Sequence, residues 1–583
     1  MSGKVIVVGG GLAGLMSVIK LAELGQKVDL FSLVPCKRSH SVCAQGGINA
    51  AVNTKGEGDS TWEHFDDTIY GGDFLANQTP VKNMIEAAPS IIYLMDRMGV
   101  QFNRTPEGFL DVRRLGGAKY SRTVFAGATT GQQLIYALDE QVRRYEDAGL
   151  VTRYEEWELL SLVLDEGICR GVVVQDLKSL DIQVFGADAV ILATGGPGMI
   201  YVRSTNSTIN TGFAAASAYM QGGAYANGEF VQIHPSAIPG RDKLRLMSES
   251  IRGDGGRVWV YRDGKPWYFL EDWYPAYGNM VPRDIATRAI FKVCVDMKLG
   301  VDGENKVYLD ITHLDPQEID RKLEGVVDIY QKFIGDDPRQ IPMQTFPAVH
   351  YSMGGLWVDY NQMTNIPGLF AAGECEYQYH GANRLGGNSL VAALYAGMVA
   401  GPKAFEYCSG LKKRHEDLPK ALFEKAQEQE AAKLTALFGM QGPENPYQLH
   451  QELGEWMVDN VTVVRENQRL WATDQKIQEL MERYQKIGVG SSGAWGNQIV
   501  PFTRRLWGML TLARVITLGA YHRNESRGAH YKPEYPERDD ENWLKTTKAE
   551  WTAMGPRFSY EPVDTSFIKP RKRRYDVAKE VTV

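Results

Sequence analysis

The run Val5-Ile6-Val7-Val8, followed at once by Gly9-Gly10-Gly11-Leu12-Ala13-Gly14, constrains this chain more than any other stretch. Four consecutive apolar β-branched residues read as a strand buried on both faces. Leu12 to Leu24 reads as a helix with Gly25 at its C-terminal end, and Lys27 to Phe31 as a second strand. The result is a βαβ unit with G-x-G-x-x-G at its strand–helix turn. Gly9 allows the tight turn, Gly11 lets the backbone approach a pyrophosphate, and Gly14 lets helix pack on strand. The helix start then presents unpaired N–H groups and a partial positive charge to phosphate. An acid for the adenosine ribose is expected at the end of the second strand, but Phe31-Ser32 stands there and Asp29 comes too early. A dinucleotide is therefore expected, with NAD and FAD both open at this point.

At 583 residues the chain is too long for one core and should divide into several domains. A formal net charge of −7 argues against general nucleic-acid binding. The six cysteines never form C-x-x-C, which argues against a metal or iron–sulfur site and fits a reducing compartment. The longest apolar run, Leu390 to Ala400, falls short of the ~18 residues of a membrane span and ends at Gly401-Pro402. Met1 leads almost directly into the first strand, so no targeting segment is expected.

Helices are expected near Pro80 to Met98 and Thr130 to Tyr145, and strands at Leu159 to Leu164, Gly171 to Val174 and Ala189 to Leu192. Later, Leu449, Leu453, Trp456 and Met457, then Ile477, Leu480, Met481 and Tyr484, recur at helical spacing and predict one-faced helices. The basic run Lys569 to Arg574 reads as a solvated tail, with anionic lipid or a partner subunit as the functional alternative.

The loop after the second strand carries Ser39-His40-Ser41, then Ala44-Gln45-Gly46-Gly47-Ile48. Further on come Thr194-Gly195-Gly196, Gln232-Ile233-His234-Pro235, Ser248-Glu249-Ser250-Ile251-Arg252-Gly253, Arg283-Asp284, His350-Tyr351, Gly373-Glu374 and Arg384-Leu385-Gly386-Gly387-Asn388-Ser389-Leu390. These motifs, in this order over nearly the whole chain, resemble the flavoprotein subunit of succinate dehydrogenase and fumarate reductase. The resemblance implies an α/β fold: a Rossmann-like FAD-binding domain (1–233 and 350–410), an inserted α+β capping domain (234–349), a C-terminal helical domain (411–525) and a final segment (526–583). It implies FAD bonded covalently to His40. Other cofactor contacts implied are Gly9, Gly10, Gly11, Leu12, Ala13, Gly14, Ser32, Ser39, Ser41, Ala44, Gln45, Gly46, Gly47, Thr194, Gly195, Gly196, Glu374, Ser389 and Leu390. No metal site is implied.

Succinate is a small dianion and needs donors at both ends. Arg384 can grip a carboxylate with two parallel hydrogen bonds, which lysine cannot. By resemblance, His234, Ser248 and His350 complete the substrate site, Ser248 standing where threonine is usual. Flavin takes the hydride. The family gives the proton to the matching arginine, Arg283, and relays it through Glu249 and Arg252. Guanidinium is an unlikely base from first principles, since its free pKa exceeds ~12; without the resemblance the trio reads as a structural ion-pair network. Two positions depart from the family. Phe213 replaces a frequent aspartate that contacts FAD, and Ile251 replaces a frequent cysteine, so inhibition by thiol reagents at that spot is not expected.

The resemblance further implies a separate iron–sulfur subunit, a cytochrome b-type membrane anchor and attachment to the cytoplasmic face of a prokaryotic cell membrane through them. L-aspartate oxidase is the main alternative, but its loop normally lacks the histidine. A pyridine-nucleotide-dependent flavin reductase would need a second nucleotide fingerprint, and a silent flavin-binding assembly protein would not need the full set of charged residues.

Overall fold

The computed structural model describes residues 3–240, 244–490 and 493–575. Its central sheet is parallel and five-stranded, in the order Leu369–Ala371, Ala189–Leu192, Val5–Val8, Val28–Ser32, Val151–Glu155. Val5 to Val8 are buried on both faces, as a central parallel strand requires. The helix Leu12–Glu23 leaves that strand through the glycine turn. A Cβ on Gly9, whose φ is +122°, would lie 2.1 Å from the Ala193 carbonyl oxygen, and one on Gly14 would lie 1.8 Å from the Gly9 oxygen. No side chain fits at either position. Asp29 is taken up by a 2.8 Å ion pair with Lys4, which immediately precedes the neighbouring strand.

The helix Asn388–Gly410 packs across Leu12–Glu23 at very close range: a Cβ on Gly397 would stand 2.4 Å from the Ala13 oxygen. This helix continues through Pro402, eight residues past the stop read from Gly401-Pro402. Buried packing against a neighbouring helix outweighs the missing N–H. Among the described residues no helix is long and apolar enough to cross a membrane.

A second, antiparallel sheet of six strands runs in the order Arg245–Leu246, Val231–Ile238, Met343–Ser352, Val307–Asp310, Arg257–Arg262, Lys265–Trp267. It carries His234 and His350 on adjacent strands. The helix Pro316–Ile334 caps itself with Asp315, whose side chain accepts from the Gln317 N–H.

Four long helices, Lys420–Phe438, Pro446–Asn460, Asn467–Tyr484 and Ile499–His522, follow. Leu449, Leu453, Met457, Ile477 and Leu480 are fully buried, whereas Trp456 is 37% exposed and lies off the buried face. The chain then makes a hairpin, Lys545–Glu550 with Arg557–Pro562, which extends the small sheet of Tyr225–Ala226 and Gly355–Leu356.

The basic run near the end is solvated only in part: Lys569, Lys572 and Arg574 are exposed, whereas Arg571 and Arg573 turn inward. Arg571 grips both oxygens of Asp66 at 2.7 and 2.8 Å, and Arg573, its side chain 7% exposed, pairs with Asp284 at 2.9 Å and Asp73 at 3.2 Å. Three acids from distant parts of the chain meet this run, which no local reading of charge reveals. Arg527 and Gly528 also converge on Asp73: the Arg527 guanidinium donates to its carbonyl oxygen and the Gly528 N–H to its carboxylate.

Candidate active site

One cavity of about 430 Å³ runs from the glycine turn to the second sheet. It is lined by Gly9, Gly10, Gly11, Leu12, Ala13, Ser32, Ser39, His40, Ser41, Ala44, Gln45, Gly46 and Gly47, and further along by Thr194, Gly195, Glu374, Ser389 and Leu390. His234, Glu249, Arg283, His350 and Arg384 line its other end. Four expected residues stand behind the wall. Gly14 packs on Gly9, and a Cβ on Gly196 would press within 2.5 Å of the Glu374 carboxylate. Ser248 is buried, its hydroxyl accepting from Ser250 at 2.8 Å. Arg252 is buried against Glu249.

The cavity suits a long anionic dinucleotide. Three helices begin at its wall, at Gly11, Gly212 and Gly387, each without a side-chain cap. The first N–H of each has a weak partner, Leu12 donating to the Ser41 hydroxyl at 3.3 Å, Phe213 to the Thr211 hydroxyl at 3.4 Å and Asn388 to the Leu385 carbonyl oxygen at 3.2 Å, while the positive dipole ends face the cavity. Side-chain atoms of Ser39, Gln45 and Asn210 are buried there with no hydrogen-bond partner. Phe213 cannot supply a carboxylate, but it opens the helix that starts at Gly212. The His40 ring is held on both nitrogens: Nδ1 accepts from the Ser207 N–H at 3.2 Å, and Nε2 lies 3.3 Å from the Asn206 amide nitrogen.

At the far end two guanidinium groups meet on one oxygen. Arg283 Nη1 and Arg384 Nη2 donate to Gln232 Oε1 at 2.9 and 3.0 Å. The Gln232 amide nitrogen donates in turn to Asn383 Oδ1 and the Arg384 carbonyl oxygen, at 2.9 and 2.7 Å. Gln232 and Asn383 were not singled out from sequence. The alternation of a strand offered a signal for the first, since Gln232 and His234 are two residues apart and share a face. Arg384 lies over the Tyr351 ring, 4.5 Å from its centroid. Burial and the nearby Arg283 charge lower its pKa to about 9.

The other fork of Arg283 reaches Glu249 Oε2, from Nε at 3.0 Å and Nη2 at 2.7 Å, while Glu249 Oε1 accepts from Arg252 Nη2 at 2.6 Å. Burial alone would raise the Glu249 pKa, but the two arginines overcome it and hold it at about 2. His234 and His350 stand with ring centroids 4.9 Å apart. Burial, reinforced by Arg283, keeps both neutral at physiological pH. His350 Nδ1 lies 2.7 Å from the Thr205 hydroxyl, and His234 Nδ1 lies 2.8 Å from the Ser236 carbonyl oxygen and 3.2 Å from its N–H. His234 Nε2 and Arg384 Nε are buried with no partner in the protein, ready for a ligand's oxygens. Ile251 is buried, whereas Cys43 is exposed and lines the cavity.

Comparison with known proteins gives this geometry a family. Residues 4–390 match the FAD binding domain family, and residues 450–575 match the fumarate reductase flavoprotein C-terminal family. The succinate dehydrogenase flavoprotein subunit of Bacillus subtilis is 67% identical over 579 residues, covering 99% of each chain. The fumarate reductase flavoprotein subunit of Escherichia coli is 32% identical, covering 98% of this chain and 95% of the relative. Among solved structures, an Escherichia coli quinol fumarate reductase variant superposes with a TM-score of 0.93 at 31% identity, covering 99% of this chain and 100% of that one. The Mycobacterium smegmatis Sdh1 complex gives 0.83 at 31% identity, covering 98% and 96%. A glycine-turn cavity with uncapped helix starts, opening onto paired arginines and histidines, thus accompanies a match along the whole chain: this protein belongs to the FAD-dependent succinate dehydrogenase and fumarate reductase flavoprotein family of oxidoreductases.

Proposed function

We propose that the chain is the flavoprotein subunit of a membrane-associated succinate:quinone oxidoreductase, interconverting succinate and fumarate at FAD bonded to His40. One observation carries the substrate reading: two buried guanidinium groups converge on Gln232 in a cavity that also presents two neutral histidines. That donor set matches a small dicarboxylate. Arg384 takes one carboxylate, and His234 and His350 face the remaining oxygens; Nδ1 of His234 lies within reach of both the Ser236 carbonyl oxygen and its N–H, so a carboxylate oxygen at the partnerless Nε2 would draw the ring proton there and leave Nδ1 to accept from the N–H. The hydroxyl of Ser248 lies behind this wall and acts through Ser250 and its helix. The antiparallel sheet that carries the histidines closes over the substrate, as the expected cap at 234–349, and excludes water.

FAD, when bound, supplies the two-electron acceptor for the hydride. The proton leaves through Arg283. Glu249, held at about pKa 2 by the guanidinium groups of Arg283 and Arg252, rests ionised and is the acceptor at the end of this path. Arg283 therefore receives a proton on one nitrogen as it releases another from Nη2 to Glu249 Oε2, and Arg252 takes up the change in charge at Oε1. Electrons pass on to a separate iron–sulfur subunit and a cytochrome b-type anchor, which hold the chain at the cytoplasmic face of a prokaryotic membrane. The solved relatives are quinol fumarate reductase and succinate dehydrogenase complexes, which supports partner subunits. L-aspartate oxidase is disfavoured by His40 and by the 67% identity to a succinate dehydrogenase subunit.

The substrate reading is tested by whether succinate, and neither L-aspartate nor NADH, reduces the bound flavin. The covalent bond is tested separately. Acid precipitation of the native complex is expected to leave the yellow colour in the protein pellet, while His40→Ser is expected to bind FAD and release it into the acid supernatant. Release from the native protein would exclude the bond to His40.

A further inference from the structure

We infer that Arg573, near the C-terminus, is a positioning residue for the paired arginines of the active site, acting through Asp284. This rests on the roles given above to Arg283 and Arg384.

Arg573 donates to both carboxylate oxygens of Asp284, from Nη1 at 2.9 Å and from Nη2 at 3.2 and 2.9 Å, and from Nη1 to Asp73 at 3.2 Å. Asp284 follows Arg283 directly, in the first turn of the helix Arg283–Phe291. Its side chain is fully buried, and Oδ1 also accepts from the Asn383 amide nitrogen at 3.1 Å. Asn383 precedes Arg384 and receives the Gln232 amide, whose oxygen joins the two guanidinium groups. The hydrogen bonds thus form one connected set, from Arg573 through Asp284, Asn383 and Gln232 to Arg283 and Arg384.

Tyr575, the last described residue, ties two further segments of the chain to Arg573. Tyr575 is buried with its ring 5.7 Å from that of Tyr70, in the helix Thr61–Gly71, and 5.2 Å from that of Tyr277, six residues before Arg283. Its hydroxyl accepts from Arg573 Nε at 3.0 Å. Arg571, two residues earlier, grips Asp66 and lies over the rings of Tyr70 and Phe74, and its side chain is not a member of the hydrogen-bonded set that runs from Arg573 to Arg384. The two arginines of one strap therefore separate anchoring from positioning.

Without Arg573, Asp284 would keep only Asn383 and the more distant Arg288, at 3.4 Å. A buried carboxylate so weakly paired is expected to draw on other donors and rotate. Asp73 would keep Arg538 at 2.8 Å and the Gly528 N–H at 2.9 Å, so the surrounding fold retains its anchor.

The test compares Arg573→Gln, Arg573→Lys and Arg571→Gln in the intact complex, all with full FAD content. Arg573→Gln is expected to lower kcat/KM for succinate by about 10- to 100-fold and to weaken malonate binding, the scale on which misplaced catalytic groups act. Arg573→Lys is expected to recover part of the loss by keeping a cation on Asp284. Arg571→Gln is expected to lower thermal stability while leaving both kinetic constants unchanged. Equal kinetic losses in Arg573→Gln and Arg571→Gln would reduce the strap to an anchor and overturn the inference, as would native kinetics in Arg573→Gln. Failure of the unaltered complex to oxidise succinate would instead overturn the substrate reading.

Discussion

Arg283→Gln is expected to lose at least about 10³-fold in succinate turnover while keeping its FAD, because it removes a group that acts on the reacting proton and also faces the substrate. The side chain forks to Glu249 with two donors and to Gln232 with a third. Glutamine can replace one of these contacts but cannot carry a proton between substrate and Glu249. Arg283→Lys is expected to be nearly as poor: it restores a charge, but one ammonium cannot hold Glu249 and Gln232 in the geometry of a planar fork. Both variants leave Glu249 paired with Arg252 at 2.6 Å, so the carboxylate is not stranded and the protein is expected to fold. The check is kcat per bound flavin. Most of the native turnover in a folded, flavin-loaded variant would show that Arg283 belongs only to a structural ion-pair network.

The second large effect is expected at Arg384. Arg384→Gln should raise the malonate dissociation constant and lower kcat/KM for succinate by about 10²- to 10³-fold, since truncating one partner of a buried charge pair costs 2–5 kcal/mol or more. The same residue predicts a pH dependence in the native enzyme. Burial and Arg283 bring its pKa to about 9 before a dicarboxylate arrives. The guanidinium is charged below that value and neutral above it, so malonate affinity should hold up to about pH 8 and fall as pH rises through 9. The bound dianion favours the charged form, so the complex itself should titrate higher. Malonate affinity measured from pH 7 to 10 in both proteins is the check. An unchanged affinity in Arg384→Gln, or one that rises toward pH 10 in the native enzyme, would contradict the role.

Much of this was legible in the sequence because its signals are local. The first strand, the glycine turn and the helix after it form from adjacent residues, and Gly9 and Gly14 meet a steric need that no other residue satisfies. The histidines, Glu249 and the two arginines stood out by motif, although their convergence from separate segments is tertiary. Other features are set by partners far away in the chain. Arg573 looks solvated beside its basic neighbours until Asp284 and Asp73 meet it. Gln232 is unremarkable by type, and only the two guanidinium groups on its oxygen reveal its place. Trp456 fits the helical spacing of its neighbours, yet the packing of the bundle leaves it at the edge. Ser248 carries the expected hydroxyl, but its short turn directs that group to Ser250.

The central claim is that this cavity delivers hydride and proton from a dicarboxylate to flavin and to Arg283. Flavin absorbance after anaerobic mixing with succinate tests it most directly. Succinate is expected to bleach the flavin, malonate to block the bleaching, L-aspartate and NADH to have no effect, and fumarate to restore the colour. Bleaching by L-aspartate or NADH in place of succinate, or no response to either succinate or fumarate with flavin fully bound, would contradict it.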